Sequence, residues 1–150
     1  FREEGMRLTR YTDYAMRVLL YLARQPGQLS SIAAIARAYG VSQNHLMKVV
    51  SDLANAGYLQ SVRGRNGGIR LARPASEINV GALVRHMEDG FDMVDCGSCV
   101  IAPACGFTGA LDEALEAFLA VLDRYSLADV LARKGDFSKL LFCEGASTRI

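Results

Sequence analysis

Three thiols lie within ten residues of one another in the stretch DCGSCVIAPACGF, residues 95–107: Cys96, Cys99 and Cys105. Cysteines this close, with Gly and Pro between them, are open to four kinds of chemistry. A thioredoxin-like redox pair places its Cys-x-x-Cys at the start of a helix after a strand, whereas Cys96 and Cys99 follow EDGFDMVD and a predicted helix. A structural zinc site takes four ligands, commonly as two close pairs; three cysteines are here, and His86, ten residues upstream, could be a fourth. A disulfide, or free thiols, is the third possibility. The fourth is an iron–sulfur cluster, its irons held by thiolates on a flexible loop whose backbone N–H groups face the sulfides. The spacing alone does not choose among them. The fourth cysteine, Cys143, lies far away near the C-terminus.

A second group of residues has the chemistry of nucleic-acid recognition. Ser42, Gln43, Asn44, His45 and Lys48 open the segment VSQNHLMKVVSDLANAGYL, and Arg63, Arg65 and Asn66 cluster in RGRNGG. Gln and Asn can pair bidentately with adenine, and Lys can reach guanine or a phosphate. Arginines on a hairpin tip suit phosphates or a narrow minor groove.

The elements that would position these groups are legible. Residues 12–24 of LTRYTDYAMRVLLYLARQPG read as a buried helix, with Thr9 or Thr12 as its cap and Pro26-Gly27 closing it. SSIAAIARAYG is a short helix capped by Ser30 or Ser31 and ended by Gly40. After a tight turn, Ser42 caps a helix whose Leu46, Val49, Val50 and Leu53 share one face until Gly57. Two short helices joined by such a turn form a helix-turn-helix, whose second helix meets base edges with its N-terminal residues. YLQSVRG and GIRLAR then alternate about RGRNGG as a hairpin, which completes a winged helix-turn-helix.

SEINVGALVRHMEDG predicts a helix over about 80–88. TGALDEALEAFLAVLDRYSL is a long helix with Ala, Leu, Val or Phe at ten of the residues 110–122. It is apolar on more than one side, which predicts pairing with a second copy as well as with its own core. SLADVLAR adds a short capped helix. The fold class is mainly α: a winged helix-turn-helix domain (6–78), a linking helix and cysteine loop (79–107), and a long C-terminal dimerisation helix with the end of the chain (108–150).

Charge is segregated. Residues 1–75 carry eleven Lys/Arg against four Asp/Glu, and residues 76–150 carry six against twelve. A basic first half favours a polyanionic partner. No apolar run reaches the ~18 residues of a membrane span, and no signal-peptide order is visible. Met6 reads as a natural start after FREEG. A soluble cytoplasmic protein is expected, in which thiols stay reduced and clustered cysteines favour metal or redox chemistry. Nothing offers a nucleophile–base pair, a phosphate-cradling glycine loop or paired buried carboxylates, and the two histidines sit on separate helices, so no enzyme is expected.

Three stretches carry a resemblance over nearly the whole chain, from Met6 to about Leu140. They are MRLTRYTDYAMRVLLYLA; GVSQNHLMKVVSDLANAGYLQSVRGRNGGIRLARPASEINVGALVR; and CVIAPAC followed by ALDEALEAFLAVLDRYSLADVL. Together they resemble the iron–sulfur winged-helix transcription repressors. RGRNGGIRLARPA marks the wider family, while IAPAC and DRYSLADVL lean toward its nitric-oxide-sensing branch. The resemblance implies a homodimer that binds double-stranded operator DNA and is released when its cluster is nitrosylated or lost. It implies Cys96, Cys99 and Cys105 as cluster ligands, with Asp13 of the other subunit as the fourth ligand of a [4Fe-4S] cluster. Taken by itself, Asp13 is a first-turn carboxylate facing a helix dipole. The gap between Cys96 and Cys99 is shorter than is usual in that family, which leaves [2Fe-2S] open beside [4Fe-4S]. An iron- or redox-sensing relative and a zinc-stabilised interaction module are the rival functions.

Overall fold

A computed structural model describes residues 6–133 and 138–141. Helix α1, Arg10–Ala23, starts where Thr9 accepts a hydrogen bond from the Thr12 N–H through its side chain. Ala15, Val18, Leu19 and Leu22 fall at helical spacing and are at most 2% exposed. Of the two threonines expected as caps, Thr9 serves; Thr12 lies inside the helix and is buried.

Helix α2, Ile32–Tyr39, is capped by the Ser31 hydroxyl and ended by Gly40 at φ +65°, a left-handed conformation that favours glycine. Helix α3, Gln43–Asn55, follows after Gly40–Ser42, with Ser42 accepting from the His45 N–H. Leu46, Val49, Val50 and Leu53 all point into the core. Strands β1, Leu59–Val62, and β2, Gly68–Leu71, pair antiparallel with Leu59 opposite Leu71 and Val62 opposite Gly68. Ser30 bridges to Ile69, which ties the hairpin to the start of α2. At the tip the chain folds so tightly that a Cβ on Gly67 would collide with the Val62 carbonyl. Three helices followed by this hairpin form the expected winged helix-turn-helix.

Helix α4, Val80–Met87, is capped by Asn79 and sends Leu83 and Met87 into the same core. Helices α5, Phe107–Leu122, and α6, Leu127–Ala132, complete the main framework, and α7 is a single turn, Ser138–Leu141. Ser126 and Asp129 form a reciprocal capping box at the start of α6, and Leu127 is fully buried in the main core. Helix α5 packs on α4 through a small cluster of Val80, Val84 and Leu119. Arg85 of α4 clamps Asp123 at the end of α5, whose carboxyl is held below its ordinary range first by that hydrogen bond. Leu119 is the single buried residue of α5, while Phe107, Phe118 and Val121 are exposed. A helix this apolar with one buried residue has a face that the described residues do not cover.

Candidate DNA-reading face and cysteine loop

Ser42, Gln43, Asn44, His45 and Lys48 are all exposed at the outer side of α3, because the inward stripe takes 46, 49, 50 and 53. Arg63, Arg65 and Asn66 are exposed at the hairpin tip, between β1 and β2. Arg70, further along β2, donates to Gln60 across the strands at 2.9 Å. The structure therefore puts two groups of polar and cationic side chains on exposed surface, one on α3 and one on the wing. One further outward residue on α3 escaped the sequence reading: Met47 is 51% exposed. Its position off the 46/49/50/53 stripe is the signal that could have found it.

The cysteine loop is a series of three-residue turns. The Cys99 N–H donates to the Cys96 carbonyl, the Ala102 N–H to Cys99, and the Cys105 N–H to Ala102, each at 3.3 Å. Asp95 holds the first turn, accepting from the Gly97 N–H at 3.1 Å and the Ser98 hydroxyl at 3.0 Å. All three cysteines are free thiols; Cys99 is exposed, and the Cys96 sulfur lies 3.3 Å from the Thr108 hydroxyl at the start of α5. A cleft of about 530 Å³ opens beside Cys96, between the loop and α5, with Phe91, Asp92, Asp112 and Leu115 in its walls.

Three soft thiol donors on one loop suit three ligand positions of an iron–sulfur cluster. Among the described residues, however, no three His, Cys, Asp or Glu side chains converge closely enough to hold a metal ion. His86, the nearby residue considered for zinc, is engaged elsewhere: its Nε2 meets the Asp52 carboxylate at 3.1 Å and its ring packs on Tyr58. Asp13 is on the exposed side of α1, where both its oxygens accept from Arg17, at 3.0 and 2.9 Å. That bond raises the guanidinium pKa further. Cys143 lies outside the described residues.

Two carboxylates that the sequence did not single out connect these parts. Glu88, immediately after α4 and at the root of the loop, accepts with one oxygen from the Thr9 N–H at 2.7 Å, the Thr12 hydroxyl at 2.8 Å and the Thr9 hydroxyl at 3.3 Å. It is fixed to the N-terminus of α1, the positive end of that helix. Asp52 of α3 accepts from the Tyr11 hydroxyl of α1 at 3.1 Å and contacts His86 of α4. Burial, followed by this hydrogen bond, raises the Tyr11 phenol. Both ties join residues more than thirty apart in sequence, so no local pattern marks them. Tyr39 adds a further link, donating to the Arg17 carbonyl at 2.8 Å; burial pushes its phenol up to about 12.

Comparison with known proteins gives a consistent set of likenesses. The family Rrf2, iron-dependent transcriptional regulator, matches residues 8–133. The HTH-type transcriptional regulator NsrR of Bacillus subtilis is 51% identical, with 91% of this chain and 97% of that one covered. The protein of the same name from Bacillus licheniformis is 45% identical over 91% and 99%. Among solved structures, T. potens IscR superposes with a TM-score of 0.70 at 28% identity, covering 85% of this chain and 87% of that one. Staphylococcus aureus CymR in its oxidized form gives 0.72 at 27%, covering 87% and 100%.

Proposed function

The chain belongs to the Rrf2 family of transcriptional regulators, and from that premise we propose that it is a nitric-oxide-responsive repressor. In this proposal it binds operator DNA as a homodimer in the cytoplasm and is released when an iron–sulfur cluster on its cysteine loop is nitrosylated or lost. It is a regulator and not an enzyme, as its relatives are. Among the described residues no helix is long and apolar enough to cross a membrane.

Cys96, Cys99 and Cys105 would hold the cluster from one subunit and Asp13 from the other, most simply as [4Fe-4S], with [2Fe-2S] the alternative. When bound, such a group supplies iron that reacts with nitric oxide, most openly where a hard carboxylate oxygen replaces a soft thiolate. The chain's own residues supply the rest. Gln43 and Asn44 read base edges, with Ser42 and His45 beside them, Lys48 takes guanine or phosphate, and Arg63, Arg65 and Asn66 grip the backbone or the minor groove. The exposed apolar face of α5 joins two copies, so that two α3 helices meet two half-sites. Residues 6–78 then act as the reader, 79–107 as the sensor and 108–150 as the joint between copies.

The observation that carries the proposal is the junction at Glu88. The loop bearing three free thiols is rooted on a carboxylate bound to the N-terminus of α1, the helix that carries Asp13 and is tied through Tyr11 to the reading helix. A change at the loop therefore has a short physical route to α3. A second reading, an iron- or redox-sensing regulator of the same family, is favoured by the description of the matching family as iron-dependent. Anaerobic purification with iron and sulfide analysis, an absorption spectrum and nitric-oxide titration separates the two. Iron and sulfide, with operator binding abolished by stoichiometric nitric oxide, supports the proposal. A cluster indifferent to nitric oxide favours the second reading, and a colourless zinc protein overturns both.

A further inference from the structure

We infer that Met47 reads a thymine of the operator through the 5-methyl group of that base. The inference rests on the DNA-binding reading above and adds a specificity determinant to it. Between Thr9 and Gly90, Met47 is the one large apolar side chain left exposed. A single exposed apolar residue on a protein surface is ordinary; the location of this one is not. It lies on α3 four residues after Gln43, three after Asn44 and one before Lys48, so it continues the outward row of Gln43 and Asn44 by one helical turn. The inward stripe is complete without it, since Leu46, Val49, Val50 and Leu53 are each at most 4% exposed. Nor does helix formation ask for it, because Lys, Gln and Glu are comparable helix formers.

In the major groove, thymine alone among the four bases presents a methyl group, and apolar side chains recognise it by contact. Methionine is unbranched and polarizable and can follow such a methyl along the groove. A row of two amides, a thioether and an ammonium therefore offers hydrogen bonding to adenine or guanine next to a contact for thymine, an arrangement that can tell T from C where hydrogen bonds are already committed.

The full chain, purified anaerobically, is used to select a binding sequence from a random duplex pool, and each thymine of that sequence is then replaced singly by deoxyuridine. Burying one methyl corresponds to about a fourfold change in affinity. At one thymine per half-site, deoxyuridine is expected to weaken wild-type binding by about fourfold. In Met47→Ala the same replacement has no effect, and in Met47→Leu the penalty persists. Lys48→Ala serves as the control, weakening binding throughout while keeping the deoxyuridine penalty. A deoxyuridine scan that is flat for the wild type, or unchanged in Met47→Ala, overturns the inference and leaves the DNA-binding reading intact. A pool that yields no enriched sequence overturns both.

Discussion

Replacing Glu88 by alanine frees the N-terminus of α1 from the root of the cysteine loop, and the cost can be worked from the contacts. One Glu88 oxygen accepts from the Thr12 hydroxyl at 2.8 Å, the Thr9 N–H at 2.7 Å and the Thr9 hydroxyl at 3.3 Å. Hydrogen bonds to a charged group net about 1.5–3 kcal/mol each. Three sharing one half-buried oxygen are not additive. Thr12 is 2% exposed and keeps only a long 3.3 Å contact to Thr9 when Glu88 is gone, so its bond counts in full at about 1.5 kcal/mol. The two Thr9 contacts and the helix-end charge together add about 1 kcal/mol. The total, about 2.5 kcal/mol, lowers the melting temperature of a chain this long by about 7 °C. Glu88→Gln keeps an acceptor oxygen and loses the charge, so it is expected to cost about 1 kcal/mol. Both are measured on cluster-free protein by circular dichroism, at one fixed protomer concentration because association shifts the midpoint. Glu88→Ala within about 0.5 kcal/mol of wild type, the range of an ordinary surface change, would refute the view that this carboxylate holds α1 to the loop.

Tyr39→Phe loses the bond to the Arg17 carbonyl, about 1 kcal/mol at neutral pH. Because burial raises the folded phenol from 10.0 to about 12, its contribution is fully present below pH 10 and is lost as pH rises toward 12; denaturation midpoints across that window should fall less steeply in Tyr39→Phe than in wild type. Asp129 behaves oppositely: the Ser126 backbone and side chain hold its carboxyl below the ordinary 3.8, so its contribution is present above that pH and is lost as pH falls through the lowered value. Asp129→Asn should therefore flatten the acid limb below about pH 4, followed by helical circular dichroism. Gly67→Ala puts a Cβ against the Val62 carbonyl and is expected to cost about 2 kcal/mol and to weaken operator binding through the displaced wing, measured by thermal melts and fluorescence anisotropy.

Most of the fold was legible because its signals are local. Ser31, Ser42 and Ser126 each accept from an N–H three residues on, and Gly40 ends α2 in the conformation glycine tolerates best. The inward stripe of α3 fixed which of its residues face out, among them the polar side chains of the proposed reading face. What stayed hidden was long-range. Thr9 and Thr12 look equally good as caps until Glu88, 79 residues from Thr9, selects the first. Asp52 and Glu88 are ordinary helix-end carboxylates in the sequence; only tertiary packing brings them to Tyr11, His86 and the threonines. The spacing of the cysteines names soft donors on a loop, yet it cannot say whether one chain completes a coordination sphere. Within the described residues no three such side chains converge.

The proposed role of Asp13 requires it to leave its present partner. In the single chain Arg17 grips both its oxygens, which at first sight removes it as a ligand. The magnitudes say otherwise. The pair spans i,i+4 on a helix and its side chains are 40% and 48% exposed, so it is worth about 0.3–0.5 kcal/mol, far less than a bond between a carboxylate and iron. Arg17 is also not stranded when Asp13 moves, since its guanidinium lies 5.8 Å from the centres of both the Tyr14 and Tyr39 rings, within reach of a cation–π contact. The ion pair therefore works as a weak resting position: it holds the carboxylate outward on α1 at little cost to its release, while Tyr14 and Tyr39 keep the guanidinium close by. Asp13→Asn should accordingly leave the melting temperature of cluster-free protein within about 2 °C of wild type. The same variant should lower the iron retained after anaerobic gel filtration. A large loss of apo-protein stability would show that the pair is structural and would remove Asp13 from the proposed ligand set.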